Sequence, residues 1–130
     1  MIFVDTNYFL RLLVADNKDQ YLTAKKLFQD GASGKVKLFS STIVFFEIYW
    51  LLHSFYKQKK AKIIKALFAI LKMNFVRFEE ENSLIKAVKI FKNTNLDLED
   101  SYNLVYAQKN KTSDFMTFDK KLRNKFKNNL

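Results

Sequence analysis

Four acidic residues stand where an α/β protein would do chemistry. Asp5 follows the apolar run Ile2-Phe3-Val4, and Glu47 is the one charged residue between Ile43 and Leu52. Asp100 falls in the first turn of a helix expected to open at Asp97, and Asp119 follows Phe115-Met116-Thr117-Phe118. Clustered carboxylates repel and raise one another's pKa unless cations hold them, and hard oxygen donors suit Mg²⁺ or Mn²⁺. A cation so held turns a bound water into a nucleophile and neutralises charge in an in-line phosphoryl displacement. Each acid also has a plainer role. Asp5, Asp97 and Asp119 suit helix N-caps, and Glu47, expected on a largely buried helix, needs a partner such as a Lys. Other chemistries are thinly supplied: there is no Cys, and the lone His53, six residues after Glu47, does not make a zinc-type HExxH motif and reads as a core or surface side chain.

The elements that must position these acids read as βα repeated. Strand-like runs are expected at about residues 2–5, 36–39, 75–78 and 115–117. Thr6 or Asn7 suits the cap of a first helix, running through Leu13. Asp16 or Asn17 suits the second, which carries Leu22, Leu27 and Phe28 inward and ends near Gly31 or Gly34. Ser40 or Ser41 opens a third helix to about Tyr56. After the basic turn Lys57-Gln58-Lys59-Lys60, a fourth places Ile63, Ile64, Leu67, Phe68 and Leu71 on one face. A fifth starts at Asn82 or Ser83 with Leu84, Ala87, Val88 and Phe91 inward. Asp97 caps a sixth carrying Leu104, Val105 and Ala107, and a short basic helix follows Asp119, the tail after Arg123 reading as loosely ordered. Strands separated by helices imply a parallel sheet with helices on both faces, and ligands in such sheets gather at the carboxyl ends of the strands.

At 130 residues the chain has one domain's length, and 48% hydrophobic with 28% charged residues is ordinary globular composition. The formal net charge of +10 favours a polyanionic partner such as nucleic acid. No Pro, two Gly and no Cys remove Gly-rich phosphate loops, disulfide frameworks and thiolate metal sites, and fit a reducing cytosol. The N-terminus does not read as a signal peptide, and the apolar stretch at 43–52 is too short for a membrane helix.

Ile2-Phe3-Val4-Asp5-Thr6-Asn7, Glu47 in its apolar helix, Asp97-Leu98-Glu99-Asp100-Ser101 and Thr117-Phe118-Asp119 together resemble a PIN domain, and more narrowly the VapC-like toxins of type II toxin-antitoxin modules. The resemblance runs end to end, as one domain over residues 1–130. It implies a three-layer α/β/α fold with a central parallel sheet of four to five short strands, Mg²⁺- or Mn²⁺-dependent endoribonuclease activity, homodimerisation, inhibition by a cognate antitoxin protein and a cytoplasmic location. By position it makes Asp5, Glu47, Asp100 and Asp119 the catalytic and metal-binding acids, with Thr6, Asn7, Asp97 and Thr117 accessory. Ser101 replaces a commoner Ala, and Val105-Tyr106-Ala107 a small-residue pair, which implies altered packing of that helix. Asp114 lies close enough in sequence to exchange roles with Asp119 if the register is misread.

An acidic pocket repels RNA, so cations must come from metal and from the surrounding surface. With the four acids set aside, 9 of the 13 Asp and Glu remain against 23 Lys and Arg. Lys57, Lys59, Lys60 and Lys62 form one candidate RNA-binding cluster, and Lys120, Lys121, Arg123, Lys125 and Lys127 another. The Phe45, Phe46, Tyr49, Trp50 and Phe55 group exceeds what one buried face requires, and the surplus suits a dimer interface or an antitoxin groove. Two other readings are a PIN-fold nucleic-acid-binding module without catalysis, and a haloacid-dehalogenase-like phosphotransferase, which needs an Asp where this chain has Asn7.

Overall fold

A computed structural model describes residues Met1–Asn128 and divides the chain into two compact units, Met1–Glu81 and Asn82–Leu130. The first unit holds a parallel sheet of β1 (Ile2–Phe3), β2 (Leu38–Ser40) and β3 (Val76–Phe78), in the order β1-β2-β3. The register pairs Phe3 with Phe39 and Phe39 with Arg77. Between the strands run α1 (Thr6–Val14), α2 (Lys18–Ala32), α3 (Thr42–Ser54) and α4 (Lys60–Leu71). Strands this short hold because the chain around them is also tied. Val4 donates to the Phe39 carbonyl at 2.9 Å, and the buried Ser40 hydroxyl donates to the Val4 carbonyl at 2.7 Å. Phe9, Phe45, Ile48, Leu52, Leu67 and Ile70, all fully buried, make most of the core on this sheet.

The helices start where polar side chains satisfy the orphan N–H groups of the first turn. Asn17 accepts from Gln20 N at 3.0 Å, and Ser41 accepts from Val44 N at 3.1 Å. The cap of α1 is Asp5, one or two residues ahead of the expected Thr6 or Asn7. The expected inward set of α2 is corrected in part. Phe28 is buried, but Leu22 is exposed, and the buried line is Ala24, Phe28 and Gly31. Gly31 lies inside α2 rather than past its end. A Cβ there would come within 2.7 Å of Leu38 Cδ1 and 3.1 Å of Phe75 Cδ2, so glycine permits close approach of helix and sheet.

In the second unit lie nearly all of α5 (Glu81–Asn93), then α6 (Leu98–Lys109) and α7 (Lys120–Lys127). Leu84, Ala87, Val88 and Phe91 are the buried side of α5, as their spacing predicts. A small cluster of Leu96, Leu104 and Leu122, flanked by Ile90, Phe115 and Phe126, ties α6 to α7. Two expectations fail. The fourth strand at 115–117 does not form, and the sheet has three strands rather than four to five. Phe115 and Thr117 are half-buried while Met116 and Phe118 are exposed, so the chain keeps a strand's alternation without its hydrogen-bond ladder. Phe115 instead packs on Phe126 at 5.4 Å between ring centroids. The tail expected to be loose is helical through Lys127, and Asn129 and Leu130 lie outside the described residues.

Candidate metal-binding acids

In the first unit, Asp5 sits two residues past β1 and caps α1, its Oδ1 accepting from Thr6 N at 2.8 Å. This bond orients the carboxylate, and among the described residues Oδ2 has no hydrogen-bond partner. Thr6 is buried, and its hydroxyl donates to Glu47 Oε1 at 3.0 Å, joining the first turn of α1 to the middle of α3. Two of the expected acids are thus held on either side of one threonine. The expected burial of Glu47 is corrected, because its side of α3, with Ile43 and Trp50, faces outward. Among the described residues no lysine forms an ion pair with it. Removing the hydroxyl should free Glu47 while keeping the fold. Thr6→Val is expected to weaken Mn²⁺ binding about tenfold with Thr6→Ser near wild type, a loss comparable to that of a group orienting a metal ligand. Equal affinities for the two variants would show that the bond does not position Glu47.

In the second unit, Asp97 caps α6 with its Oδ1 2.8 Å from Asp100 N, and the fully buried Ser101 donates to the Asp97 carbonyl at 2.7 Å. Ser101 is therefore a satisfied polar group within the helix packing. Asp119 caps α7, its Oδ1 accepting from Lys121 N at 2.9 Å and Leu122 N at 3.1 Å, while its own N–H donates to the Thr117 hydroxyl at 3.1 Å. Partial burial raises the Asp100 pKa above the ordinary carboxylate value, and the nearby charges of Asp97 and Asp119 raise it further. Asp119, not Asp114, is thus the acid felt by Asp100. Asp114 is spent on a local bond to Phe115 N at 2.7 Å.

Capping and metal binding are compatible here, because Asp5, Asp97 and Asp119 each cap through Oδ1 alone. Carboxylate oxygens of this kind are the donors that hard divalent cations take. Among the described residues, no group of three or more His, Cys, Asp or Glu is placed to hold a metal ion.

Of the basic residues, Lys57, Lys59, Lys60, Lys62, Lys120 and Lys121 are exposed, and Arg123 is half-buried. The aromatic group divides: Phe45 and Tyr49 are core, Phe46 is half-buried, and Trp50 and Phe55 are exposed at 58% and 69%. His53 is exposed and stacks on Tyr49. Sequence reasoning passed over Arg11, whose guanidinium gathers Asp16, Gln20 and Tyr56 from three other segments. The only signal was an Arg one helical turn beyond Asn7.

A three-stranded parallel sheet with helices between its strands defines an α/β protein. The chain belongs to the PIN domain family, whose model matches residues 2–127 and so takes in all eight expected acidic and accessory positions. PIN domains are generally nucleases, and PIN nucleases typically use divalent metals. A search of curated proteins finds no significant match.

Proposed function

We propose that this protein is a Mg²⁺- or Mn²⁺-dependent endoribonuclease, the toxin of a type II toxin-antitoxin pair, in which both compact units serve one nuclease domain. The observation that supports the reading is that each unit, taken by itself, presets its own acids. Asp5 and Glu47 are linked through Thr6, and Asp100 is set beside Asp97 and Asp119 with its charge disfavoured. A bound cation would favour the ionised form of this partly buried carboxyl, whose pKa desolvation and the neighbouring acids raise. Asp5 and Asp100 would hold the metal directly, with Glu47 and Asp119 completing the donor set. When bound, the cation supplies Lewis-acid polarisation of the phosphoryl group and acidifies a water.

The chain's own residues supply the rest. Thr6 holds Glu47, Thr117 holds Asp119, and the exposed lysines around Lys57–Lys60 and Lys120–Lys121 attract the phosphate backbone. The proposed location is the cytoplasm, and among the described residues no helix is long and apolar enough to cross a membrane. The exposed Ile43, Trp50 and Phe55 are the proposed contact for an antitoxin or a second copy. Incubating the protein with structured RNA in Mn²⁺ or Mg²⁺ should yield discrete fragments, suppressed by EDTA and by Asp5→Asn. Fragments that persist in EDTA would overturn the metal-dependent reading.

A further inference from the structure

Between α1 and α2 lies an open cleft of about 260 Å³ lined by Asn7, Tyr8, Arg11, Gln20, Thr23 and Ala24. That is below the roughly 300–1,000 Å³ of sites for drug-sized ligands, and it suits one planar group with a charged neighbour. We propose that this cleft is a nucleotide subsite, holding one base and one phosphate of the RNA strand next to the bond that is cut. The proposal rests on the nuclease reading for its substrate, but it concerns residues outside the acidic set.

Arg11 is the anchor. Its Nε donates to Gln20 Oε1 at 2.6 Å, and its Nη1 donates to Asp16 Oδ1 and to the Tyr56 hydroxyl, both at 3.0 Å. Three bonds fix the plane of the guanidinium and, among the described residues, leave Nη2 without a hydrogen-bond partner, so a phosphate oxygen would meet a donor that needs no further ordering. Tyr8 lies 39% exposed at the same cleft, and its hydroxyl makes no hydrogen bond among the described residues. An exposed ring beside a fixed cation is how single strands are held, by base stacking and phosphate contact. Asn7, Gln20 and Thr23 add amide and hydroxyl groups able to meet a base edge.

Two features of place favour RNA as the occupant. Arg11 is six residues along α1 from Asp5, a rise of roughly 9 Å, which stays within about three stacked nucleotides of the acid. Tyr56, bonded to Arg11, leads directly in sequence into the exposed Lys57, Lys59 and Lys60, so cations follow the anchor along the chain.

The test is affinity for a short fluorescein-labelled single-stranded RNA, by anisotropy in EDTA so that nothing is cut. Thr23→Glu puts a negative charge into the cleft without touching any bond of Arg11. Lys25→Glu, on the far face of the same helix, changes the net charge twice as much. The subsite predicts about tenfold weaker binding for Thr23→Glu and for Tyr8→Ala, and less than about threefold for Lys25→Glu. A Lys25→Glu loss equal to or larger than that of Thr23→Glu would show general attraction only and overturn the proposal, as would wild-type affinity in Thr23→Glu or no RNA binding by the wild type. A labelled poly-glutamate peptide is run beside it. If Thr23→Glu weakens the peptide and spares the RNA, the cleft takes an acidic peptide instead. Cleavage in Mn²⁺ is scored separately. RNA binding that depends on Thr23 without any cleavage removes the nuclease reading and keeps the subsite, whereas cleavage with unaltered Thr23→Glu binding does the reverse.

Discussion

Asp100→Asn is expected to abolish RNA cleavage and, at neutral pH without metal, to make the protein more heat-stable. Both effects have one cause. Partial burial, then the charges of Asp97 and Asp119, raise the Asp100 pKa above its ordinary value of 3.8. In the folded state the ionised form is therefore disfavoured. A raised folded pKa contributes stability below the unfolded value, and that contribution is lost as pH rises through the folded value. Near pH 7 the metal-free wild type bears the cost of an ionised Asp100, and the neutral amide does not. The melting temperatures of the two proteins should converge as pH falls below the ordinary carboxylate range. Added Mn²⁺ should reverse the order at pH 7, since a ligand that binds only the folded state stabilises it, and the variant lacks the charge that holds the ligand. For cleavage, loss of a directly bound acid removes several kcal/mol of transition-state stabilisation, about 100- to 1,000-fold or more in rate. Cleavage within about tenfold of wild type would remove Asp100 from the site. A metal-free variant that melts lower at pH 7 would show that its charge is stabilised in the fold.

The parts of this arrangement legible in the sequence were those set by local chemistry. Asn17, Ser41, Asp97 and Asp119 cap helices because a short polar side chain reaches the N–H groups two or three residues on, a rule that needs no tertiary information. The α5 face was equally plain, its buried residues recurring at helical spacing. What failed depended on partners far along the chain. Leu22 looked inward because it is large, yet small Ala24 and Gly31 line the buried side, where Leu38 comes too close for any side chain at Gly31. Glu47 looked buried because nearly everything around it is apolar. The exposure of Ile43 and Trp50 on its side of α3 shows that apolar residues there do not mark the core. The stretch 115–118 had the composition of a strand, but a strand needs a ladder partner, and no local signal reports one. At the candidate site the acids could be named singly. The Thr6 bridge to Glu47, across 41 residues, could not.

Phe9→Ala carries the largest expected loss of stability, and it shows what holds the first acid in place. Phe9 is fully buried one turn after Asp5 on α1, with ring centroids 5.3 Å from Phe28 and 5.7 Å from Phe78. Phe78 in turn meets Phe45 edge-on at 5.8 Å. One ring thus fastens α1 to α2 and β3, and through Phe78 to α3, which carries Glu47. Truncation removes the transfer free energy of the ring and leaves a cavity that close-packed neighbours fill only in part, for a cost of about 3–5 kcal/mol. Against a total stability of roughly 5–15 kcal/mol this is about a fifth of the margin or more, and the melting temperature should fall by roughly 10–20 °C. Ile43→Ala, at a 74% exposed position, should change stability by no more than about 0.5 kcal/mol. Phe9 is buried away from solvent and offers RNA no surface, so Phe9→Ala protein assayed well below its midpoint should cut RNA within a few-fold of wild type and lose activity in step with unfolding on warming. A melting point within about 3 °C of wild type would mean that the α1–sheet contact does not depend on this ring. Normal stability with no cleavage would mean that Phe9 sets the position of Asp5 directly.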